Sequence, residues 1–316
     1  MMIKQRGFTL VEIFVALGIG LTLLAGVLSI FVSMKTTSKE TSTSGELQEN
    51  GRFALSILSD DILRQDFWGD YTGTLDFASL TAVPNAPAVD CAGEGINNAT
   101  FPVIAGSFRT LWGTTVTSAS MMNCIDDAKL SSDLIQLKRV VSNPVTVPNA
   151  TNYYLITNIS DGTIFSGAGG IPTITNSQMW EYQHHIYYVR EELQGSNKVP
   201  VLMQGRLNNN MTFDPIIDGI EIIRFMYGVD NTGDGIVNAF ISADNMTDAL
   251  WNNANDSNIL AIKVYVLARS ILPDNKYDNT NTYQIGDLSF TFNDNYRRLL
   301  FSSTITLYNA GVDVWN

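Results

Sequence analysis

The chain has 316 residues, a formal charge of −12, 45% hydrophobic residues and only 16% charged ones. That length allows one large domain or two ordinary ones, with ample chain for a buried core. The composition is too apolar for disorder and too acidic for a general nucleic-acid binder, and two histidines with two cysteines leave little for a zinc site or a cysteine-rich scaffold.

The apolar residues are unevenly spread. From Phe8 to Val32 the only charge is Glu12. Twenty-five helical residues span roughly 37 Å, enough to cross a hydrocarbon core of about 30 Å with some tilt. Lys4 and Arg6 precede the run, so the front end is expected to stay cytoplasmic and the bulk to be translocated. A secretory signal fits poorly, because the run is long and no small-x-small site closes it. A plain anchor explains length and orientation but not Glu12, since a carboxylate inside a membrane segment needs a partner.

The segment Gly7-Phe8-Thr9-Leu10-Val11-Glu12 resembles the class III signal of type IV pilins and type II secretion pseudopilins. The resemblance implies cleavage after Gly7 by a prepilin peptidase and N-methylation of Phe8. It also implies that Glu12 pairs with the Phe8 amine of a neighbouring subunit during assembly. Residues 1–7 are then the leader, 8–32 the transmembrane half of the N-terminal helix, 33–66 its soluble half, and 67–316 a β-rich head. Losing Lys4 and Arg6 takes the formal charge from −12 to −14.

Ser33 to Gly45 is polar and rich in Ser and Thr, which predicts a looser, partly melted stretch. Helical periodicity resumes beyond it. Leu47, Ala54, Leu55, Leu58 and Ile62 share a face, Asp60 and Arg64 pair at i, i+4, and Gly51 is a weak point. Leu47-Gln-Glu-Asn-Gly-Arg-Phe-Ala-Leu55 with Phe67-Trp68-Gly69 resembles the PilW family of minor pilins. The block from Tyr296 to Asn309 has the same look, whereas the middle, about Thr72 to Ser177, carries no such resemblance.

Candidate strands are Leu134–Val140, Tyr153–Ile159, His185–Arg190, Val199–Gln204, Ile220–Tyr227, Ile259–Ser270 and Leu299–Leu307. Ile262, Val264, Val266 and Ala268 alternate onto one face. Gln194-Gly-Ser-Asn197 is a hairpin turn. No strand–helix alternation suggests a parallel sheet. The expected class is α+β, with one long N-terminal helix packed on antiparallel sheet, the plan that a pilin resemblance also implies.

Cys91 and Cys124 lie on the translocated, oxidising side, so a structural disulfide is expected. Asp230, Thr232, Asp234, the Ile236 carbonyl and Asn238 follow calcium-loop spacing, with Gly235 at the turn. Ile241 replaces the usual bidentate Glu, and Asp244 or Asp248 could substitute. An Asx-rich turn without metal is the competing reading. Adjacent His184 and His185 would point to opposite faces of a strand and fill surface or half-buried structural roles. The Asp60-Asp61 and Asp126-Asp127 pairs read as solvated. Lys138-Arg139 and Arg297-Arg298 are the only tight basic pairs, and the acidic background opposes nucleic-acid binding. No catalytic motif is present, so no enzymatic activity is expected.

The resemblance implies a minor pilin that primes assembly or sits at the tip of a type IV pilus, since a bulky head suits a tip better than a densely repeating shaft. Its partners would be the prepilin peptidase, other minor and major pilins, the inner-membrane assembly platform, and the membrane through Phe8–Val32. It would reside in the inner membrane with its bulk periplasmic before assembly, and on the cell surface afterwards. No cofactor is required beyond the possible Ca2+. A minor J-type pseudopilin of a type II secretion system is the alternative within the same architecture. A pilus-borne adhesin or DNA-uptake module and a membrane-anchored enzyme are alternatives from other classes.

Overall fold

A computed structural model describes residues 7–72, 75 and 77–309. The chain divides into two compact units, residues 1–46 and residues 47–316. Helix α1, Leu10–Leu63, is continuous, so the Ser33–Gly45 stretch is helical rather than melted. Propensity costs of Ser and Thr are only a few tenths of a kcal/mol each, too small to break a helix already nucleated on both sides.

In the first unit every residue from Gly7 to Lys35 is exposed. The side chains of Phe8, Leu10, Phe14, Leu23, Val27 and Phe31 have no protein cover. In the second unit the helix is amphipathic. Leu47, Gly51, Ala54, Leu58, Asp61 and Ile62 are buried, and Leu55 is half-buried. Spacings of three and four keep these residues on one stripe.

The strands are β1 Leu80–Ala82, β2 Leu111–Thr115, β3 Asp133–Pro144, β4 Tyr153–Thr157, β5 Gly162–Ser166, β6 Gln178–Gln194, β7 Asn197–Leu207, β8 Met211–Asp218 and β9 Ile220–Asp230. After them come β10 Ala239–Ser242, the short helix α2 Asp248–Trp251, β11 Asn258–Arg269, β12 Thr282–Ile285, β13 Leu288–Thr291 and β14 Arg298–Thr306. All seven strands expected from the sequence are present. Short strands such as β1, β5 and β10 are too brief for a period to declare itself.

The larger sheet runs β1-β5-β4-β6-β3-β2. Strand β6 is long enough to serve two neighbours along one edge. Its first part pairs with β4 and its second with β7, which carries β8. Gln194 faces Asn197 across the expected turn. The second sheet, β10-β9-β11-β14, is antiparallel, and β12–β13 forms a separate hairpin. Among the described strands, β1 with β5 is the one parallel pair.

Residues of the helix stripe belong to one apolar core with residues of both sheets. In β11, Ile262, Val264, Val266 and Ala268 are all fully buried, as their alternation requires. Two expectations about polar residues fail. His184 and His185 are buried rather than superficial, and Asp61 is buried rather than solvated, unlike the exposed Asp60 beside it.

Candidate functional site

The N-terminal segment opens with a reciprocal cap. The Thr9 amide and hydroxyl donate to Glu12 Oε2 at 2.8 and 2.9 Å, and the Glu12 amide donates to Thr9 Oγ1 at 3.3 Å. A Thr-x-x-Glu cap of this kind satisfies amide donors that the first helical turn leaves free. It also places the carboxylate at the positive end of the helix dipole. Glu12 is therefore engaged within its own chain by Thr9. Beyond it the helix is long and apolar enough to cross a membrane, and its most apolar stretch buries nothing within the protein. Such a surface is stable only in lipid or against other apolar helices. Lys4 and Arg6 lie outside the described residues.

In the second unit, Asp61 is the polar centre of the helix stripe. Its Oδ1 accepts from Arg139 Nε at 2.8 Å and from a terminal guanidinium nitrogen at 2.7 Å. Its Oδ2 accepts from His185 Nδ1 at 2.5 Å and from the Tyr187 hydroxyl at 2.8 Å. Gln204 Nε2 donates to the same hydroxyl at 2.6 Å. One carboxylate thus ties α1 to β3, β6 and, through Tyr187, β7. Burial alone would raise the Asp61 pKa, but His185, Arg139 and Tyr187 together hold it well below the usual carboxylate range. The spacing Leu58, Asp61, Gln65 on the buried stripe was the signal in the sequence, and reading Asp60-Asp61 as a pair obscured it.

Two further clusters are built alike. Arg224 donates to Asp133 at 2.9 Å, Asp287 at 2.8 Å and Asp244 at 3.3 Å. Glu221 accepts from Arg298 at 2.5 Å and from Arg269 at 3.3 Å, and Arg298 also holds Asp294 at 2.7 Å. The basic pairs of the sequence are therefore spent internally. Lys138, Arg139 and Arg298 are buried, and Arg297 is paired with Asp274.

Cys91 and Cys124 form a disulfide, closing an irregular segment that holds β2. In the Asp230 loop the oxygens face the loop's own donors. Asp230 accepts from the amides of Thr232, Gly233 and Gly235 at 2.7–3.0 Å, and Asn238 Oδ1 accepts from the Asn231 amide at 2.8 Å. Asp234 Oδ1 accepts from the Ile236 amide at 3.0 Å. Ile241 is in β10. Asp244 and Asp248, the two substitutes for a twelfth-position acid, are held by Arg224 and Arg109. Among the described residues no cluster of three or more His, Cys, Asp or Glu side chains is arranged to hold a metal.

No curated protein and no solved structure gives a significant match to the chain. A family model described as Type IV Pilus-assembly protein W matches residues 186–309, which include much of β6, all of β9, β11 and β14, the Glu221 cluster, and Arg224 with Asp244 and Asp287 but not Asp133. That match spans well under half of the chain and supports a place in the PilW family, with a part in type IV pilus assembly.

Proposed function

We propose that the chain is a minor pilin of a type IV pilus, cleaved after Gly7 and methylated on Phe8. The observation that carries this reading is a coincidence of two independent features. An uncovered apolar helix starts at the Phe8–Glu12 motif, and the PilW match lies at the other end of the chain. The role is assembly rather than catalysis. The apolar half of α1 stores the subunit in the inner membrane and then packs among the helices of other pilins. Glu12 exchanges its Thr9 cap for the Phe8 amine of a neighbour, a transfer that keeps the carboxylate partnered throughout. The size of the head favours a priming complex or a tip.

The test is replacement of Gly7 by a bulkier residue in cells that carry the peptidase. Mass spectrometry is expected to find the precursor uncut, and normal processing would overturn the reading. Deletion of the whole gene is expected to reduce surface pili and twitching with secretion unchanged. Loss of secretion with pili intact would assign the chain to a type II secretion system instead.

A further inference from the structure

Lys138 has no exposed surface, although it carries an amine. Its Nζ lies 2.8 Å from the Arg109 carbonyl oxygen, 3.4 Å from Oδ1 of Asn98, and 4.4 Å from the centre of the Phe108 ring. Among the described residues no carboxylate pairs with it directly. Burial, with the charge of Arg109 adding to it and that of Asp90 opposing, pushes the ammonium well toward the neutral amine. A neutral buried amine is a nucleophile.

The group it faces is prepared as an electrophile. Asn98 is almost fully buried, and its Oδ1 also accepts from Gln136 Nε2 at 2.7 Å. The Gln136 N–H polarises this carbonyl and is placed to stabilise charge that develops on its oxygen. The Asn98 Nδ2 is held by the Glu94 carbonyl at 2.9 Å, which fixes the orientation of the amide.

A buried histidine lies on the neighbouring strand β6. Thr100 gives its single hydroxyl hydrogen to Asp90 at 2.6 Å, so His184 Nδ1, 3.0 Å away, must donate to the Thr100 oxygen. That tautomer leaves the lone pair on His184 Nε2, a buried atom with no hydrogen-bond partner among the described residues. His184 is the register partner of Lys138 across β3 and β6. Nucleophile and polarised carbonyl thus meet in one buried site, with the Phe108 ring against the amine.

We propose that Lys138 and Asn98 condense to an intramolecular isopeptide bond. The Nζ–Cγ bond forms and the Cγ–Nδ2 bond breaks. The proton lost from Nζ goes to the departing Nδ2, which leaves as ammonia. No oxidant or co-reactant is needed. Asn98 lies between Cys91 and Cys124, in a segment that the disulfide ties only to itself. The new bond joins that segment covalently to β3, as suits a subunit that is pulled from a membrane.

The experiment is intact-mass measurement of the full chain, purified folded in detergent, then reduced and denatured. The expected mass is one ammonia below that of the chain whose N-terminus a protease digest identifies, and the same digest is expected to yield a branched peptide joining Asn98 to Lys138. A mass without that deficit, together with an unmodified Lys138 peptide, would overturn the proposal. So would an ammonia loss that maps to a single linear peptide, as cyclisation of Asn50 onto Gly51 would give.

Discussion

The ring of Phe301 on β14 occupies the space where a side chain on Gly51 of α1 would stand, and a β-carbon there would overlap the ring. Gly51 interrupts helix propensity at a cost of about 1 kcal/mol relative to Ala. That cost is offset by an aromatic side chain laid directly on the helix backbone. Gly51→Ala should therefore destabilise the protein by about 1–3 kcal/mol, through overpacking that outweighs the propensity gain. Phe301→Leu in the same background should recover part of the loss. Urea unfolding of the single and double variants in detergent measures the coupling, and simple additivity would show that the two residues act separately.

The Asp61 carboxylate accepts four hydrogen bonds from three side chains. Asp61→Asn leaves Arg139 charged and buried without its counter-ion, a loss of about 3–5 kcal/mol. Tyr187→Phe removes one neutral donor and should cost about 1 kcal/mol. The pH dependence has a definite sign. Because the folded pKa is depressed, the stabilisation is fully present above the unfolded value of about 3.9 and is lost as the pH falls below it. The advantage of wild type over Asp61→Asn should thus shrink only in acid, as read by urea midpoints across the acid range.

The same residues show what a sequence can and cannot disclose. The helix stripe and the β11 alternation were legible because burial imposes a period on many residues at once. Asp61, His184, Lys138 and Arg298 were not, because a buried charge is defined by partners distant in the chain. Asp61 meets Arg139 and His185 across 78 and 124 residues. Gly51 was visible as an irregularity, but its reason lay in Phe301. The Thr9–Glu12 cap was within reach, as a Thr-x-x-Glu pattern, but was hidden by the stronger signal of an acid within an apolar run.

Asp133 reverses the sign found for Asp61. Its carboxyl is 1% exposed, and burial pushes its pKa up to about 6 against the pull of Arg224, the Phe225 amide and Thr115. Between pH 4 and about 6 the folded state then holds a proton that the unfolded chain releases. Its contribution is largest at the acid end of that window and is lost as the pH rises through it. The stability difference between wild type and Asp133→Asn should therefore fall with rising pH over this range. A difference that rises instead would mean that Arg224 holds the carboxylate ionised.

The Asp230 loop is closed by its own backbone. Three amide donors, from Thr232, Gly233 and Gly235, converge on one carboxylate and hold its pKa below the ordinary value. Gly233 and Gly235 adopt left-handed φ angles of 72° and 76°, which turns those amides inward at no steric cost. Asp230→Ala removes the acceptor for all three and should lower stability by about 1–3 kcal/mol. Because the donors belong to the chain, the loss should be equal in a chelator and in millimolar calcium. Thermal melts of wild type and variant under both conditions measure this. A calcium-dependent rise confined to wild type would instead show that the oxygens of Asp230, Asp234 and Asn238 turn from the backbone to a cation.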